Sequence, residues 1–297
     1  MQKTVLITGT SSGFGLLITQ TLLSKGYTVF ATMRQLTGKN ARIAQEIKSL
    51  ADDTPGKLHL LELDVVHDQS VAQAVAQALA LESQIDILIN NAGLGVGGFT
   101  EGFSTEQFQK LFDVNVFGVH RLMRAVLPEM RQRNKGLIIN ISSVMGRIVL
   151  PFAGPYTATK FALEGLTESY RYELASSGVD VVIVEPGGFM TGFGERMMYP
   201  QDEERVKSYG AMTEVPDQMW TNILHTLSQV KDQIDPQLVA DAVANLIETP
   251  DGERPFRTVV DPMSGGEGPK TINQTQEQIQ KQLIEGMQMT DLVKLKV

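Results

Sequence analysis

Short apolar runs recur along the chain at residues 5–7, 27–31, 58–63, 85–89, 137–141 and 179–184. Between them lie longer segments in which apolar residues return every three or four positions, as at 70–81 and 161–174. A continuously apolar strand is one buried on both faces, whereas a helix with a single apolar stripe covers one face of a neighbour. The alternation predicts an α/β fold: a doubly wound parallel sheet of Rossmann type, with helices packed against each side. Longer helices are expected over 105–131 and 156–176.

The pattern changes after Val184. Glu185-Pro186-Gly187-Gly188 closes a strand, and residues 189–235 then carry Met, aromatic and charged side chains without a strand signal. Residues 188–235 are therefore expected to form a mobile lid or substrate loop. Inside it, Met219, Ile223, Leu227 and Val230 stand at helical spacing, which predicts a helix over 216–234. Asp235-Pro236 starts a further helix through Leu246, and 256–260 reads as a last strand. From Ser264 onward a Gly-rich stretch and the Gln-rich segment 273–282 read as a linker leading to an amphipathic tail. The expected organisation is one Rossmann-type domain over 1–262 and a C-terminal extension over 263–297.

Composition narrows the function. A formal net charge of -8 gives neither a nucleic-acid backbone nor an anionic bilayer any overall attraction to the molecule. The absence of cysteine removes disulfides, thiolate metal sites and thiol nucleophiles. The four histidines, His59, His67, His120 and His225, lack metal-ligand spacing. The first apolar run is too short for a signal-peptide core, and no stretch approaches the roughly 20 apolar residues a membrane span requires. A cytoplasmic protein is expected.

Thr8-Gly9-Thr10-Ser11-Ser12-Gly13-Phe14-Gly15 falls where the first predicted strand passes into the first predicted helix. Glycines there let a pyrophosphate approach backbone N–H groups, and the helix N-terminus offers it partial positive charge. The acidic residue that usually accepts from an NAD ribose is missing after the second strand, where Arg34 stands instead. A cation there suits a 2′-phosphate, so NADP(H) is expected over NAD(H). Asp64 and Asn90-Asn91-Ala92-Gly93 end the third and fourth strands on the same carboxyl edge, and Asp64 is placed to accept from an adenine amino group.

Tyr156 and Lys160 share one helix face at i,i+4 spacing. A neighbouring ammonium is expected to lower the phenol pKa from about 10 and so suit Tyr156 to exchange a proton with a carbonyl or alcohol oxygen. Ser142-Ser143 ends the fifth strand close before it, and Ser143 is expected to hydrogen-bond the reacting oxygen. A serine hydrolase would need a Gly-x-Ser-x-Gly elbow and a partnered histidine, and neither is present.

Taken together, Thr8-Gly9-x-x-x-Gly13-x-Gly15, Asn90-Asn91-Ala92-Gly93, Asn115, Ser143, Tyr156-x-x-x-Lys160 and Pro186-Gly187 resemble the short-chain dehydrogenase/reductase family across residues 3 to 262. Asn91-Ala92-Gly93-Leu94-Gly95 and the segment 160–165 resemble its 17β-hydroxysteroid and retinol dehydrogenase-like branch. The resemblance implies a catalytic tetrad. Asn115 would hold a water relay, Ser143 would position the substrate oxygen, Tyr156 would transfer the proton, and Lys160 would bind the nicotinamide ribose. It also implies that Gly9 to Gly15, including Phe14, cradle the pyrophosphate, with Ser11, Ser12 and Arg34 at the 2′-phosphate. Asp64 and Val65 would flank adenine, Asn91, Ala92 and Gly93 would line the cofactor, and Pro186, Gly187, Phe189 and Thr191 would meet the carboxamide. Val96, Phe99, Val144, Phe152, Phe193 and Met197 are the apolar candidates for a pocket that takes a bulky carbonyl or alcohol. A homodimer or homotetramer built on the two long helices is implied as well. The competing reading on the same fold is a catalytically silent regulator that senses NADP(H).

Overall fold

The computed structural model describes residues 3–296. In chain order the elements are β1 (Thr4–Thr8), α1 (Gly13–Ser24), β2 (Thr28–Met33), α2 (Ala41–Asp52), β3 (Lys57–Glu62) and α3 (Asp68–Glu82). There follow β4 (Ile87–Asn90), α4 (Thr105–Phe112), α5 (Gly118–Arg133), β5 (Gly136–Ile141), α6 (Gly154–Leu174) and β6 (Val179–Pro186). The chain ends with α7 (Glu203–Ser208), α8 (Val215–Gln229), α9 (Gln237–Glu248), β7 (Arg257–Val260) and α10 (Glu267–Gly286). All seven strands are parallel, in the order β3-β2-β1-β4-β5-β6-β7.

The doubly wound sheet expected from the apolar runs is present, and its cause is visible residue by residue. Side chains alternate across a strand. Val5, Ile7, Val29, Ala31 and Val182 pack on one face with Ile18 and Leu22 of α1, Ile47 of α2 and Val239 and Val243 of α9. Leu6, Phe30, Leu88 and Val181 point the other way, onto Val71 and Ala74 of α3, Leu122 and Val126 of α5 and Leu163 of α6. Full burial of one such side chain contributes roughly 1.5–3 kcal/mol, so the two layers are held chiefly by these stripes. Among the described residues no helix is long and apolar enough to cross a membrane.

Three expectations change. The helix expected over 105–131 is interrupted: α4 gives way to a π-helical turn at Asp113–Phe117 before α5 begins. The helix expected over 216–234 stops at Gln229. The Gln-rich segment expected as a linker is helical throughout α10, because Gln and Glu are good helix formers and Pro269 sits in the first turn, where its missing N–H costs nothing. The region 188–235 contains α7 and α8 and is tied to the domain through Gln107, whose side-chain amide donates to the Tyr199 carbonyl (2.8 Å). Gln107 also closes a capping box with Ser104 that fixes where α4 starts.

Candidate active site

The chain leaves β1 toward β2 and leaves β4 toward β5, in opposite directions, so a crevice opens at the carboxyl ends of these two neighbours. Its walls are held by Thr8, whose hydroxyl accepts from the backbone N–H of Asn91 and of Ala92, both at 3.0 Å. Asn91 returns two bonds, its amide donating to the carbonyls of Thr8 (2.8 Å) and Gly9 (3.1 Å). Gly9 has a φ of +72°, and a Cβ there would lie 2.9 Å from the Cα of Ala92. A Cβ at Gly15 would lie 2.4 Å from both the Asn91 amide and the Gly9 carbonyl. The turn is thus packed to a density that only glycine permits at these two positions. At the start of α1, Ser12 makes no side-chain cap, which leaves the N–H groups of the first turn free to receive an anion. These residues fit a dinucleotide pyrophosphate.

Farther along the same edge, Arg34 is exposed and lies 3.9 Å from the Asp64 carboxylate, so the ends of β2 and β3 bring together the two groups expected near the adenosine end. Val65 beside them is buried. Ser12 accepts from the Arg196 guanidinium at 2.5 Å, and the Phe14 ring meets Phe189 edge-on at 5.5 Å. The segment after β6 therefore folds back over the glycine turn. A Cβ at Gly13 would lie 3.7 Å from Thr191, and Gly187 is fixed by donating to the Val260 carbonyl (2.9 Å).

Tyr156 lies in the first turn of α6, entered through Gly154-Pro155, and Lys160 one turn later. The Lys160 ammonium donates to the Ile141 carbonyl at 2.9 Å and lies 5.6 Å from the centre of the Tyr156 ring. Burial pushes the Tyr156 phenol up to about 12, a hydrogen bond with Ser143 opposing the shift. Burial also brings Lys160 down to about 8, with Glu164 opposing. The expected lowering of the phenol by its neighbour is thus corrected. The ammonium is aimed at the strand end, while the phenol packs against the apolar cluster of Val96, Phe103 and Leu111.

Ser143 caps the short turn Val144–Gly146, accepting from the Met145 N–H (3.1 Å), and its hydroxyl lies 3.4 Å from the Pro186 carbonyl. Asn115 sits in the π-helical turn, fully enclosed. Its amide accepts from the Leu94 N–H (2.8 Å) and donates to the Leu94 carbonyl (2.9 Å) and the Thr159 hydroxyl (3.0 Å). Thr159 passes the connection on by donating to the Tyr156 carbonyl at 2.7 Å. Asn115 thereby clamps the loop after Gly93 onto the helix that carries Tyr156.

Of the apolar pocket candidates, Phe193 stands edge-on to Tyr156 with ring centres 5.9 Å apart, and both Phe193 and Met197 press against Gly95. Val96 and Phe99 are buried in the packing behind them. Phe152 is partly buried and holds a φ of +59°, a conformation rare for a bulky residue, with its ring edge-on to Phe99 at 5.1 Å. Val144 begins the turn that Ser143 caps. A hollow of about 490 Å³ opens between α8 and Met263, lined by Met219, Ile223 and Thr226, and none of the pocket candidates lines it. Residues that sequence reading missed are Arg196, Tyr209, stacked on Phe99 at 4.0 Å, and Trp220, whose buried indole N–H has no partner among the described residues. Their only signal was membership of the aromatic and charged stretch after β6.

A glycine turn at the switch point of a parallel sheet, with a Tyr-Lys pair and a serine on the same edge, defines a nucleotide-dependent oxidoreductase. The short chain dehydrogenase family model matches residues 3–201, and the chain belongs to that family. The chain is 34% identical over 263 residues to a 3-ketodihydrosphingosine reductase of Bacteroides thetaiotaomicron, spanning 87% of this chain and 88% of that one. It is 41% identical over 200 residues to human retinol dehydrogenase 8, spanning 66% of this chain and 62% of that one. Among solved structures, a short-chain dehydrogenase from Streptomyces avermitilis superposes with a TM-score of 0.74 at 29% identity, covering 98% of both chains. The closed form of a serine dehydrogenase complexed with NADP+ superposes at 0.67 with 29% identity, covering 86% of this chain and 94% of that one. The protein is an NAD(P)-dependent oxidoreductase that works between an alcohol and a carbonyl.

Proposed function

We propose that the chain uses NADP(H) to interconvert a hydrophobic ketone or aldehyde and its alcohol, with Tyr156 as the proton-transferring residue. The observation that carries this reading is the meeting of Ser143, Tyr156 and Lys160 at one strand edge: the Lys160 ammonium donates to the Ile141 carbonyl at 2.9 Å and lies 5.6 Å from the centre of the Tyr156 ring, and the Ser143 hydroxyl is near enough to the phenol to oppose its upward shift. When bound, the nicotinamide supplies or accepts the hydride at the substrate carbon.

The residues of the chain do the rest. Ser143 and Tyr156 hold the substrate oxygen, and Tyr156 donates its phenolic proton as that oxygen gains charge, or takes the proton back in the reverse direction. Lys160 supplies positive charge to the region where a phenolate forms, and it also holds the ribose. Asn115 keeps the loop of Leu94 against α6 and, in the same reading, orders a water behind Lys160. Gly9 to Gly15 bind the pyrophosphate, and Arg34, Ser11 and Ser12 take the 2′-phosphate. Arg34 favours NADP(H) because a fixed cation compensates a dianion, and the similar serine dehydrogenase structure holds NADP+.

A steroid-, retinoid- or aryl-ketone-like substrate is supported by Phe193 beside Tyr156, by Met197 against the neighbouring Gly95, and by the names of two relatives, a 3-ketodihydrosphingosine reductase and a retinol dehydrogenase. A homodimer or homotetramer built on α5 and α6 belongs to the same proposal, supported by the exposed Phe117 and Phe161. The test is NADPH oxidation with a panel of bulky ketones. Tyr156→Phe should lose turnover by about a hundredfold or more while NADPH affinity stays nearly constant. Equal turnover in that variant overturns the mechanism.

A further inference from the structure

Outside the crevice, three buried carboxylates, the buried guanidinium of Arg257 and the half-buried one of Arg147 come together where α6, β6, β7 and α10 meet. Arg257 donates to Glu164 at 2.8 Å and to Glu168 at 2.9 Å, and lies 3.7 Å from Glu185. Arg147 forms no ion pair among the described residues, although it lies close enough to Arg257 to be disfavoured by it. Its hydrogen-bond partner is Gln276 of α10, which accepts from the Arg147 guanidinium and donates to Glu168 at 2.8 Å. One helical turn earlier, Asn273 donates to Glu185 at 2.6 Å.

Two of the groups that α10 grips, Arg147 and Glu185, adjoin residues of the candidate active site, and the third, Glu168, lies on the helix that carries Lys160. Arg147 ends the turn that Ser143 caps, and Glu185 precedes Pro186, whose carbonyl is 3.4 Å from the Ser143 hydroxyl. Glu164 and Glu168 follow Lys160 by one and two turns of α6. Gly146, between Ser143 and Arg147, is wedged so closely that a Cβ there would lie 2.9 Å from both Glu164 and the Ser142 hydroxyl. A side-chain amide can accept from a guanidinium through its oxygen and donate to a carboxylate through its nitrogen at once, which is what position 276 does.

We infer that Asn273 and Gln276 are positioning residues for the reaction: α10 straps the Ser143–Arg147 turn to the end of β6 and so fixes the Ser143 hydroxyl against Tyr156. The inference rests on the roles proposed for Ser143 and Tyr156. The strap acts on the serine side of the site, leaving the glycine turn untouched, so its loss should separate turnover from cofactor binding.

The experiment uses the full chain and compares Gln276→Met, which keeps the shape and removes both bonds, Asn273→Ala, and Gln278→Ala on the exposed side of α10. Steady-state kinetics with NADPH and the best ketone of the panel, NADPH affinity from nicotinamide fluorescence, and amide hydrogen exchange over 142–148 without cofactor are measured for each. Gln276→Met should lower kcat about tenfold, since small misplacements of a reacting group are costly, with NADPH affinity within about twofold. It should also speed exchange over 143–147, while Gln278→Ala matches the unmodified chain. Unchanged kcat, or kcat and NADPH affinity falling together without local exchange, overturns the inference. Should Gln276→Met not fold, Asn273→Ala, which removes one bond, decides by the same readouts. A ketone-active parent chain with equally active variants removes the strap alone, whereas full activity of Tyr156→Phe removes the proposed mechanism and leaves the exchange result to report on α10.

Discussion

Lys160 and Ile141 are joined by a 2.9 Å hydrogen bond that anchors a buried ammonium at the carboxyl end of β5. Burial holds this group at about 8, below its ordinary 10.5. Between those values the unfolded chain keeps a proton that the folded chain has released, so this group's contribution to stability rises with pH across the window. Its cost is complete below about 8. Lys160→Met should therefore be more stable than the parent near pH 7, by about 1–3 kcal/mol, while losing turnover. Urea denaturation at several pH values checks this, and a variant less stable at pH 7 contradicts it.

The phenol of Tyr156, pushed up to about 12, is protonated across the neutral range. Ketone reduction, which needs both the proton donor and the Lys160 charge, should then hold nearly level from about pH 6 to 7 and fall as Lys160 loses its proton around 8. Alcohol oxidation needs the phenolate and should rise with pH, by up to tenfold for each unit below the pKa. Initial rates in both directions over that range test the assignment, and oxidation fastest in acid would count against it.

Arg34 is exposed on the carboxyl edge, with the Asp64 carboxylate 3.9 Å away. Replacing it by aspartate places a second negative charge where a 2′-phosphate would sit. Arg34→Asp should shift the kcat/KM ratio from NADPH toward NADH by about tenfold or more, equivalent to at least 1.4 kcal/mol. An unchanged ratio removes Arg34 from the phosphate site.

Burial and the neighbouring Glu164 raise the Glu185 carboxyl to about 8, against the hydrogen bond from Asn273 and the charges of Arg257 and Arg147. The folded chain here holds a proton that the unfolded chain has lost above about 4.5, so stability from this group falls as pH rises from 4.5 to 8. Glu185→Gln should exceed the parent in stability above pH 8, and the gain should shrink toward pH 4.5. Thermal unfolding at the two ends of this window decides the matter.

Much of this architecture was legible before folding was considered. Strands buried on both faces write continuous apolar runs such as those around Val5 and Val181, and glycines between a strand and a helix have few other uses. The Tyr156-x-x-x-Lys160 pair, Ser143 and Asn91 were found by type and spacing, and the structure brings them to one edge. The interruption at Asp113–Phe117 was not legible, because a π-helical turn leaves the hydrophobic period almost unchanged. Its cause is a contact 21 residues away, between Asn115 and the backbone of Leu94. Tyr209 and Trp220 were missed for a similar reason, since an aromatic in an irregular segment carries no period that says what it faces.

The succession of buried strands along the chain, the glycine turn suited to a phosphate and the Tyr156–Lys160 pair proposed to transfer the proton are each legible from neighbours within a few positions along the chain. The placement of α10 does not. Its inward positions include the polar Asn273 and Gln276, while its apolar Ile279 and Leu283 are exposed, so a reading by hydrophobic period sees a linker where a docked helix stands. Only the tertiary structure reveals the polar groups that those amides satisfy, because Glu168, Glu185 and Arg147 come from three distant parts of the chain and acquire their demand for partners when folding removes them from water.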